Sequence, residues 1–398
     1  MKKLVSWFGL LCLAVQLNTT AWAEEMKEES NADKRGGISG PIAQGLYTKP
    51  FWRKSGKGTY VGGYADFEYR SKQDGKQKFE VLRMVPFIYG DIAPGLRFAT
   101  EIEIEHGGAT STGGGDAKIE FAILDYELMG EALGLRAGLV LIPLGKFNLI
   151  HDSPINDLND RPNVSRFILP STFFEPGAGF FGTTYLDPAK IDYQFYLTQG
   201  FNGGSDGKGK FSTTSGLRGA RSAVNGGGDN NENTAATGRL GFSPILGSEI
   251  GGSFHAGTWD NAGQNMLYVA ALDWGFQWKN VEFLGEYGNA TIEGSTNTAT
   301  VPSRMDGYYA QVNYHFLQDA VRPGSVFTGV VRWDHTDLDL LNQASAQTAN
   351  STQRLTVGLN FRPIEQTVFK IDYQINYEHF RSVRTGNDAL VVGFATYF

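Results

Sequence analysis

The chain has 398 residues and a formal net charge of −7, so it is long enough for one large fold, and its acidic balance gives no support to nucleic-acid binding. Its one cysteine lies in the N-terminal apolar run, which leaves the rest of the chain without a disulfide, a thiol nucleophile or a thiolate-bound metal. The 51 glycines together with 27 Phe, 17 Tyr and 7 Trp favour many strands joined by turns.

The N-terminal residues have the layout of a secretory signal peptide. Two lysines precede the apolar run 4–17, and the small residues ending at Ala23 form a signal-peptidase site. We therefore predict a signal peptide over residues 1–23 and export of the remainder. Residues 24–58 are charged and irregular, and we predict a periplasmic N-terminal arm there.

From residue 59 onward, polar and apolar residues alternate in repeated segments. Such alternation indicates β-strands, because successive side chains of a strand point to opposite faces. We predict about sixteen strands, at 59–70, 77–90, 95–106, 116–128, 133–143, 173–186, 189–200, 235–244, 249–260, 265–277, 280–292, 305–317, 324–336, 353–363, 367–380 and 388–398.

The connections between these strands alternate in length. Those after even-numbered strands are short, whereas several after odd-numbered strands are long and polar. This is the layout of an outer-membrane barrel with periplasmic turns and extracellular loops. We predict an all-β fold over 59–398, a transmembrane antiparallel β-barrel of about 16 strands in the bacterial outer membrane. A soluble two-sheet sandwich is the alternative, but the aromatic strand ends favour interfacial girdles.

The barrel assigns a direction to each strand face, because apolar residues meet lipid and polar residues face the lumen. The stretch ATEIEIEHGG at 99–108 then turns its isoleucines to lipid and its carboxylates to water inside the wall. The second strand needs a bulge, because Phe79 and Val81 otherwise share a face with Arg83. The predicted lumen residues of the wall are Arg97, Glu101, Glu103, Glu105, Arg354, Arg362, Lys370 and Asp372.

The connection after the fifth predicted strand is long and rich in Ile, Leu, Phe and Pro. Long loops without periodicity are usually functional or disordered. We predict that about 145–174 folds into the lumen as a constriction, and an ordered external cap is the alternative. The fourth long loop carries Lys208, Lys210, Arg218 and Arg221 among glycines, a composition more typical of a solvated loop than of an anion-attracting one.

The stretch DRPNVSRFILPSTFFEPGAGFFG and the strand layout resemble the trimeric general porins, and among them the phosphate-selective porins O and P. The resemblance implies a sixteen-stranded barrel, an inward third loop and a homotrimer. The residues that fit an inward loop are Lys146, His151, Asp152, Asp157, Asp160, Arg161 and Arg166. Three of these are acids and three are bases that carry a permanent charge, and the balance favours neither anions nor cations, so phosphate selectivity is not carried over. Replacing the three acids with Asn is expected to shift selectivity toward anions.

These observations predict a porin for passive diffusion of ions and small hydrophilic solutes, without catalysis, cofactor or metal. Its expected partners are outer-membrane lipid and the barrel-assembly machinery, which reads an apolar final strand ending in Phe398. Two alternatives stay open. One is a barrel that sheathes a multiheme cytochrome in an electron conduit, and the other is an outer-membrane hydrolase that uses an acid–base cluster of Asp334, His335, Asp337 and Asp339.

Overall fold

The computed structural model describes residues 59–398 except 74, 76, 109–114, 224–227, 295–300, 342–350 and 379–385. The predicted signal peptide and N-terminal arm therefore lie outside the described residues. Among the described residues, no helix is both long and apolar enough to cross a bilayer.

Sixteen strands make up the wall: β1 (Thr59–Lys72), β2 (Lys78–Ala93), β3 (Leu96–Glu105), β4 (Asp116–Glu127), β5 (Gly134–Leu141), β6 (Phe174–Leu186), β7 (Ala189–Thr198), β8 (Ala235–Ser243), β9 (Ser248–Thr258), β10 (Met266–Trp278), β11 (Val281–Ile292), β12 (Arg304–Phe316), β13 (Val326–Asp337), β14 (Ser351–Ile364), β15 (Thr367–Glu378) and β16 (Ala389–Tyr397). The described helical segments are one α-helix, α1 (Asn163–Phe167), and the 3₁₀ turns Phe147–Leu149 and Arg218–Ala220.

Every strand pairs antiparallel with its neighbours, and β1 pairs with β16 to close the barrel. At the seam Tyr64 faces Tyr397, and the amides of Gly63 and Phe398 each donate to the other residue's carbonyl, at 3.1 and 2.9 Å. Closure matters because a bilayer offers no water to unpaired backbone groups at a sheet edge. The predicted sixteen-stranded antiparallel barrel is confirmed.

The two faces of the wall differ as predicted. On β14, Val357 and Leu359 are 47% and 43% exposed on the outer face, whereas Arg354, Thr356 and Asn360 are buried on the inner face. The same alternation runs along β15, where phenylalanine, isoleucine and tyrosine face outward and Lys370, Asp372 and Gln374 face inward. An apolar outer surface around a polar interior is the wall of a membrane-spanning barrel.

Two bulges adjust these faces locally. The register between β1 and β2 shifts between Asp66 and Phe67, so that Val81 faces outward and Arg83 inward, as the sequence required. The β3–β4 register shifts beside Glu101, and both Glu120 and Phe121 of β4 are buried on the inner side there. The second bulge therefore adds a carboxylate to the lumen that simple alternation would not predict.

Two connections on the long-loop side fold back into the barrel. We call residues 142–173, between β5 and β6, loop L3, and the described residues of the connection between β7 and β8, 199–223 and 228–234, loop L4. The turns at the opposite end are short, as at 94–95, 187–188, 279–280 and 365–366.

The face assignment predicts the effect of an outward charge. Val357→Arg places a cation against lipid near the middle of β14 and should cost about 2 to 4 kcal/mol of unfolding free energy. Val61→Arg lies near the periplasmic end of β1, where the cost should be about 0 to 1 kcal/mol. Urea unfolding of both variants in phospholipid vesicles measures the difference, and equal losses would contradict the assigned depth.

Candidate channel constriction

Loop L3 turns into the barrel at Gly145. This residue has a φ of 72°, a left-handed conformation that glycine adopts without a steric penalty. Its amide donates to Oγ of Ser253 on β9 at 2.9 Å, and the amide of Phe147 donates to Oε1 of Glu286 on β11 at 2.6 Å. Neither strand is a neighbour of β5 in the closed wall, so these contacts lie within the lumen.

An apolar cluster holds the second half of L3 against the inner wall. Side chains of L3 meet inward-facing apolar side chains of β10, β11 and β12, and water is excluded from between them. Full burial of one such side chain contributes about 1.5 to 3 kcal/mol, so this contact orders the loop. The cluster includes Val164, Ile168, Leu169 and Phe173 of L3 with Val269, Ala290, Met305 and Tyr309 of the wall.

Asp160 binds L3 to β1 and β15. Its carboxylate accepts from two nitrogens of Arg70 at 2.6 and 3.0 Å and from Nε2 of Gln374 at 2.7 Å. Burial by itself would raise the pKa of Asp160, but the guanidinium groups of Arg70 and Arg354 outweigh it and hold that pKa well below its usual range. This carboxylate is therefore neutralised by the wall.

The other two carboxylates of L3 are bound in the same way. Asp157 accepts from Nδ2 of Asn313 on β12 at 2.7 Å and from Arg362 on β14 at 3.2 Å. Asp152 is buried and accepts from the hydroxyl of Tyr397 on β16 at 2.8 Å. All three predicted constriction acids thus attach the loop to the wall.

Wall cations also donate to the backbone of L3. Lys370 donates to two L3 carbonyls, at 2.7 and 3.2 Å, and Asp372 accepts an L3 amide at 2.7 Å. Arg332, Arg354 and Arg362 each donate to L3 carbonyls as well. The predicted lumen residues Arg354, Arg362, Lys370 and Asp372 therefore contact L3 rather than facing an open channel.

Lys146 and His151 are buried against acids of the wall. Nζ of Lys146 lies 3.0 Å from Glu249, and burial still lowers the pKa of Lys146 despite this neighbour. His151 contacts Glu120 through Nε2, and its Nδ1 lies 2.7 Å from a backbone carbonyl oxygen. Burial opposes the charged ring, but Glu120 outweighs it and raises the pKa of His151.

The carboxylates of β3 do not form the uniform water-lined row that the sequence suggested. Glu101 is buried, and its Oε1 accepts a hydrogen bond from the hydroxyl of Tyr89 at 2.8 Å. Glu103 is also buried, and its Oε2 lies 2.9 Å from Nζ of Lys118. Glu105 keeps partial exposure and also binds Lys118 at 2.9 Å. Arg97 lies at the other end of β3 in ion pairs with Glu127 at 2.7 Å and Asp91 at 3.3 Å.

Loop L4 differs from its sequence-based interpretation as a solvated loop. Phe201, Phe211 and Leu217 are buried in the same apolar cluster as L3, together with Trp259. The amide of Leu217 donates to the carbonyl of Phe167 at 2.7 Å, which fixes L4 onto L3. The large apolar residues spaced among the glycines of L4 were the sequence signal for this packing.

Four arginines of L3 and L4 lie close together. Arg161 and Arg218 both donate to the carbonyl oxygen of Ser171, at 2.7 and 2.6 Å, and Arg221 donates to that of Thr172. Arg166 is exposed on α1. Among the described residues, no carboxylate oxygen lies within 4 Å of any of these four guanidinium groups, which we call the arginine cluster.

The members of the arginine cluster repel one another. Burial lowers the pKa of Arg218 first, and the charges of Arg221, Arg161 and Arg166 lower it further. Burial lowers the pKa values of Arg161 and Arg221, and a neighbouring arginine adds to this in each case, whereas Glu103 and Glu105 act in the opposite direction on both. The guanidinium groups stay protonated at neutral pH. Positive charge is therefore concentrated at this part of L3 and L4, although the charges of L3 balance in the sequence.

The acid–base cluster considered for a hydrolase is divided between the two faces of the wall, with Asp334 inside and His335 and Asp337 outside. Asp334 faces the lumen, where it accepts the amide of Asn163 at 2.8 Å and pairs with Arg332 at 2.9 Å. His335 faces outward, with its ring 5.4 Å from that of Tyr308. Within the described ranges, no three His, Cys, Asp or Glu side chains are placed to hold a metal ion.

No family model matches the sequence. An uncharacterized protein of Aquifex aeolicus strain VF5 is 30% identical over 359 residues, which cover 84% of this chain and 78% of that protein. The chain belongs to the family of this protein. The name of this relative gives no activity, so function must be argued from the barrel itself.

Solved structures place the fold. The outer-membrane channel DcaP of Acinetobacter baumannii matches with a TM-score of 0.56 at 11% identity, over 87% of this chain and 99% of DcaP. Salmonella typhi OmpF, in complex with daunomycin, matches with a TM-score of 0.55 at 13% identity, over 86% of this chain and 98% of OmpF. An anion-selective porin from Comamonas acidovorans matches with a TM-score of 0.53 at 10% identity, over 86% of this chain and 100% of that porin. The chain has the fold of outer-membrane porins, and membership of the phosphate-selective family stays a prediction.

The binding of Asp160 predicts a pH-dependent stability of L3. Asp160→Asn should lower the unfolding free energy by about 1 to 3 kcal/mol, because it removes the charged hydrogen bonds to Arg70, which keeps only Glu68 as an acidic partner among the described residues. The folded pKa of Asp160 is lowered, so its stabilising effect is complete above the ordinary carboxyl pKa of about 4 and is lost as the pH falls through the folded pKa. The difference in melting temperature between the two proteins should therefore narrow in acid.

Circular-dichroism melting between pH 3 and pH 8, with limited proteolysis of L3, measures this effect. Asp206→Asn is the matched control, because Asp206 pairs with Lys208 on the exposed surface of L4. A difference that is constant with pH would contradict the ion pair of Asp160.

Proposed function

We propose that this protein is an outer-membrane porin that lets small hydrophilic solutes diffuse passively and prefers anions. One observation carries the preference for anions. The carboxylates of L3 are bound to wall residues, whereas the arginine cluster on L3 and L4 has no carboxylate within 4 Å among the described residues. A locally cationic surface lowers the barrier for anions and raises it for cations.

This proposal replaces the expectation of a pore without charge preference. That expectation came from the equal number of acids and bases in the sequence of L3. A passing ion responds instead to the charges near its path that no partner neutralises. Replacing Asp152, Asp157 and Asp160 with Asn would release the loop from the wall, so it is a test of loop anchoring rather than of selectivity.

The alternatives have less support. A conduit needs a lumen that admits a cytochrome, but L3 contacts β1, β9, β11, β14 and β16 from within, and L4 packs onto L3. For the hydrolase, Asp334 points to the opposite side of the wall from His335, and the acid that shares the face of His335, Asp337, lies on the outer surface and not in the lumen. Passive diffusion needs neither a partner nor a reaction centre.

The arginine cluster predicts the sign of selectivity. Purified protein in planar bilayers should conduct stepwise, and its reversal potential in a KCl gradient should indicate preference for chloride. One unit charge about 4 Å from an ion in water contributes about 1 kcal/mol, so the double variant Arg161→Gln with Arg218→Gln should lower the chloride-to-potassium permeability ratio at least about fivefold at low salt. The effect should shrink near 1 M salt, where the screening length is about 3 Å.

Arg322→Gln is the matched control, because Arg322 is exposed in the turn between β12 and β13, away from L3 and L4. This variant should keep the reversal potential of the unaltered protein. Preference for potassium in the unaltered protein would refute the anion preference, and folded protein that leaves the bilayer impermeable would refute the channel.

The homotrimer implied by the resemblance and the recognition of Phe398 by the assembly machinery stay predictions. Light scattering of the protein in detergent, corrected for bound detergent, should give three times the mass of the processed chain. A monomer mass in mild detergent that persists after reconstitution and cross-linking in vesicles would contradict the trimer.

A further inference from the structure

An aromatic ring lies within the arginine cluster. Phe167 ends α1 and is only partly buried at the edge of the apolar cluster. The guanidinium carbon of Arg166 lies 5.2 Å from the centroid of the Phe167 ring, and Arg166 itself is exposed. The Arg166 guanidinium thus lies over the Phe167 ring, and because the Arg166 side chain is exposed, a solute can reach it from the channel side.

The cations next to this ring have spare donors. The backbone bond from Leu217 to Phe167 brings Arg218 beside α1. Arg161 and Arg218 direct one nitrogen each to the same carbonyl, that of Ser171. A guanidinium carries five N–H donors in a planar fork, so most donors of both groups can still bind an anion. A carboxylate fits that fork with two parallel hydrogen bonds.

We propose that Arg161, Arg166, Phe167 and Arg218 form a binding site for small aromatic carboxylates in the channel. The solute ring stacks on the exposed face of the Arg166 guanidinium, and its carboxylate binds to Arg161 and Arg218. Guanidinium is planar and weakly hydrated, so it stacks on aromatic faces, which a lysine ammonium does not do. Chloride and inorganic phosphate engage only the cations and gain nothing from the ring. The site rests on the proposed anion-preferring channel.

Two probe carboxylates of equal charge and similar size distinguish the contribution of ring stacking from that of charge. Benzoate is planar and aromatic, whereas cyclohexanecarboxylate is neither. Each is titrated against the chloride current of the full-length protein in planar bilayers. Benzoate should halve the current at about a two- to fivefold lower concentration than cyclohexanecarboxylate, the range expected of one exposed cation–π contact.

Variants of the stacking pair test the geometry. Arg166→Lys keeps the positive charge and removes the planar face, so it should abolish the difference between the two carboxylates. Phe167→Leu keeps an apolar side chain at the end of α1 and should reduce the difference, because the Arg166 guanidinium loses its backing ring. Arg322→Lys, in the exposed periplasmic turn, should leave the difference unchanged.

The outcomes separate this site from the proposed function. Equal inhibition by benzoate and cyclohexanecarboxylate in a chloride-preferring channel would overturn the aromatic site and leave the anion channel standing. A benzoate preference that survives Arg166→Lys would overturn the stacking on Arg166. A channel that prefers potassium would overturn the proposed function, and the site would fall with it.

Discussion

Every other feature of this molecule depends on the closed hydrogen-bonded wall. A bilayer cannot satisfy an unpaired amide or carbonyl, so the strand ladder must close between β1 and β16. Closure in turn assigns each side chain to lipid or to the lumen. It also concentrates inside the wall many charged groups that lipid would not accept, and these groups need partners.

Loop L3 supplies those partners. Its carboxylates bind wall arginines and amides, its carbonyls accept from Lys370 and Arg362, and its apolar half packs on β10, β11 and β12. The interior is therefore a packed polar network rather than a smooth tube. Because this network binds the acids of the loop, the preference for anions that we propose rests on the arginines that remain.

The sequence indicated that the lumen holds charged residues of both signs, but the composition did not indicate which of these charges are paired. Asp160 and Arg161 are neighbours in sequence, but the wall neutralises one of them, whereas the other joins L4 at the carbonyl of Ser171. Glu101 and Glu103 face inward as their alternation indicated, and yet they are buried against tyrosine or lysine. Equal numbers of acids and bases in the sequence of L3 thus do not imply equal numbers of unpaired acids and bases in the lumen.

The sequence by itself determined the barrel, its strand number, the inward and outward faces and the bulge before Arg83, because lipid and water impose a two-residue period that survives in the residue order. Only the tertiary structure decided which charges meet, since the partners of Asp160 lie on β1 and β15, at opposite ends of the chain. The inward packing of L4 was decided there too. The spacing of large apolar residues in L4 signals a buried side, but their partners are L3 and wall residues far away in the sequence, which the local pattern does not name.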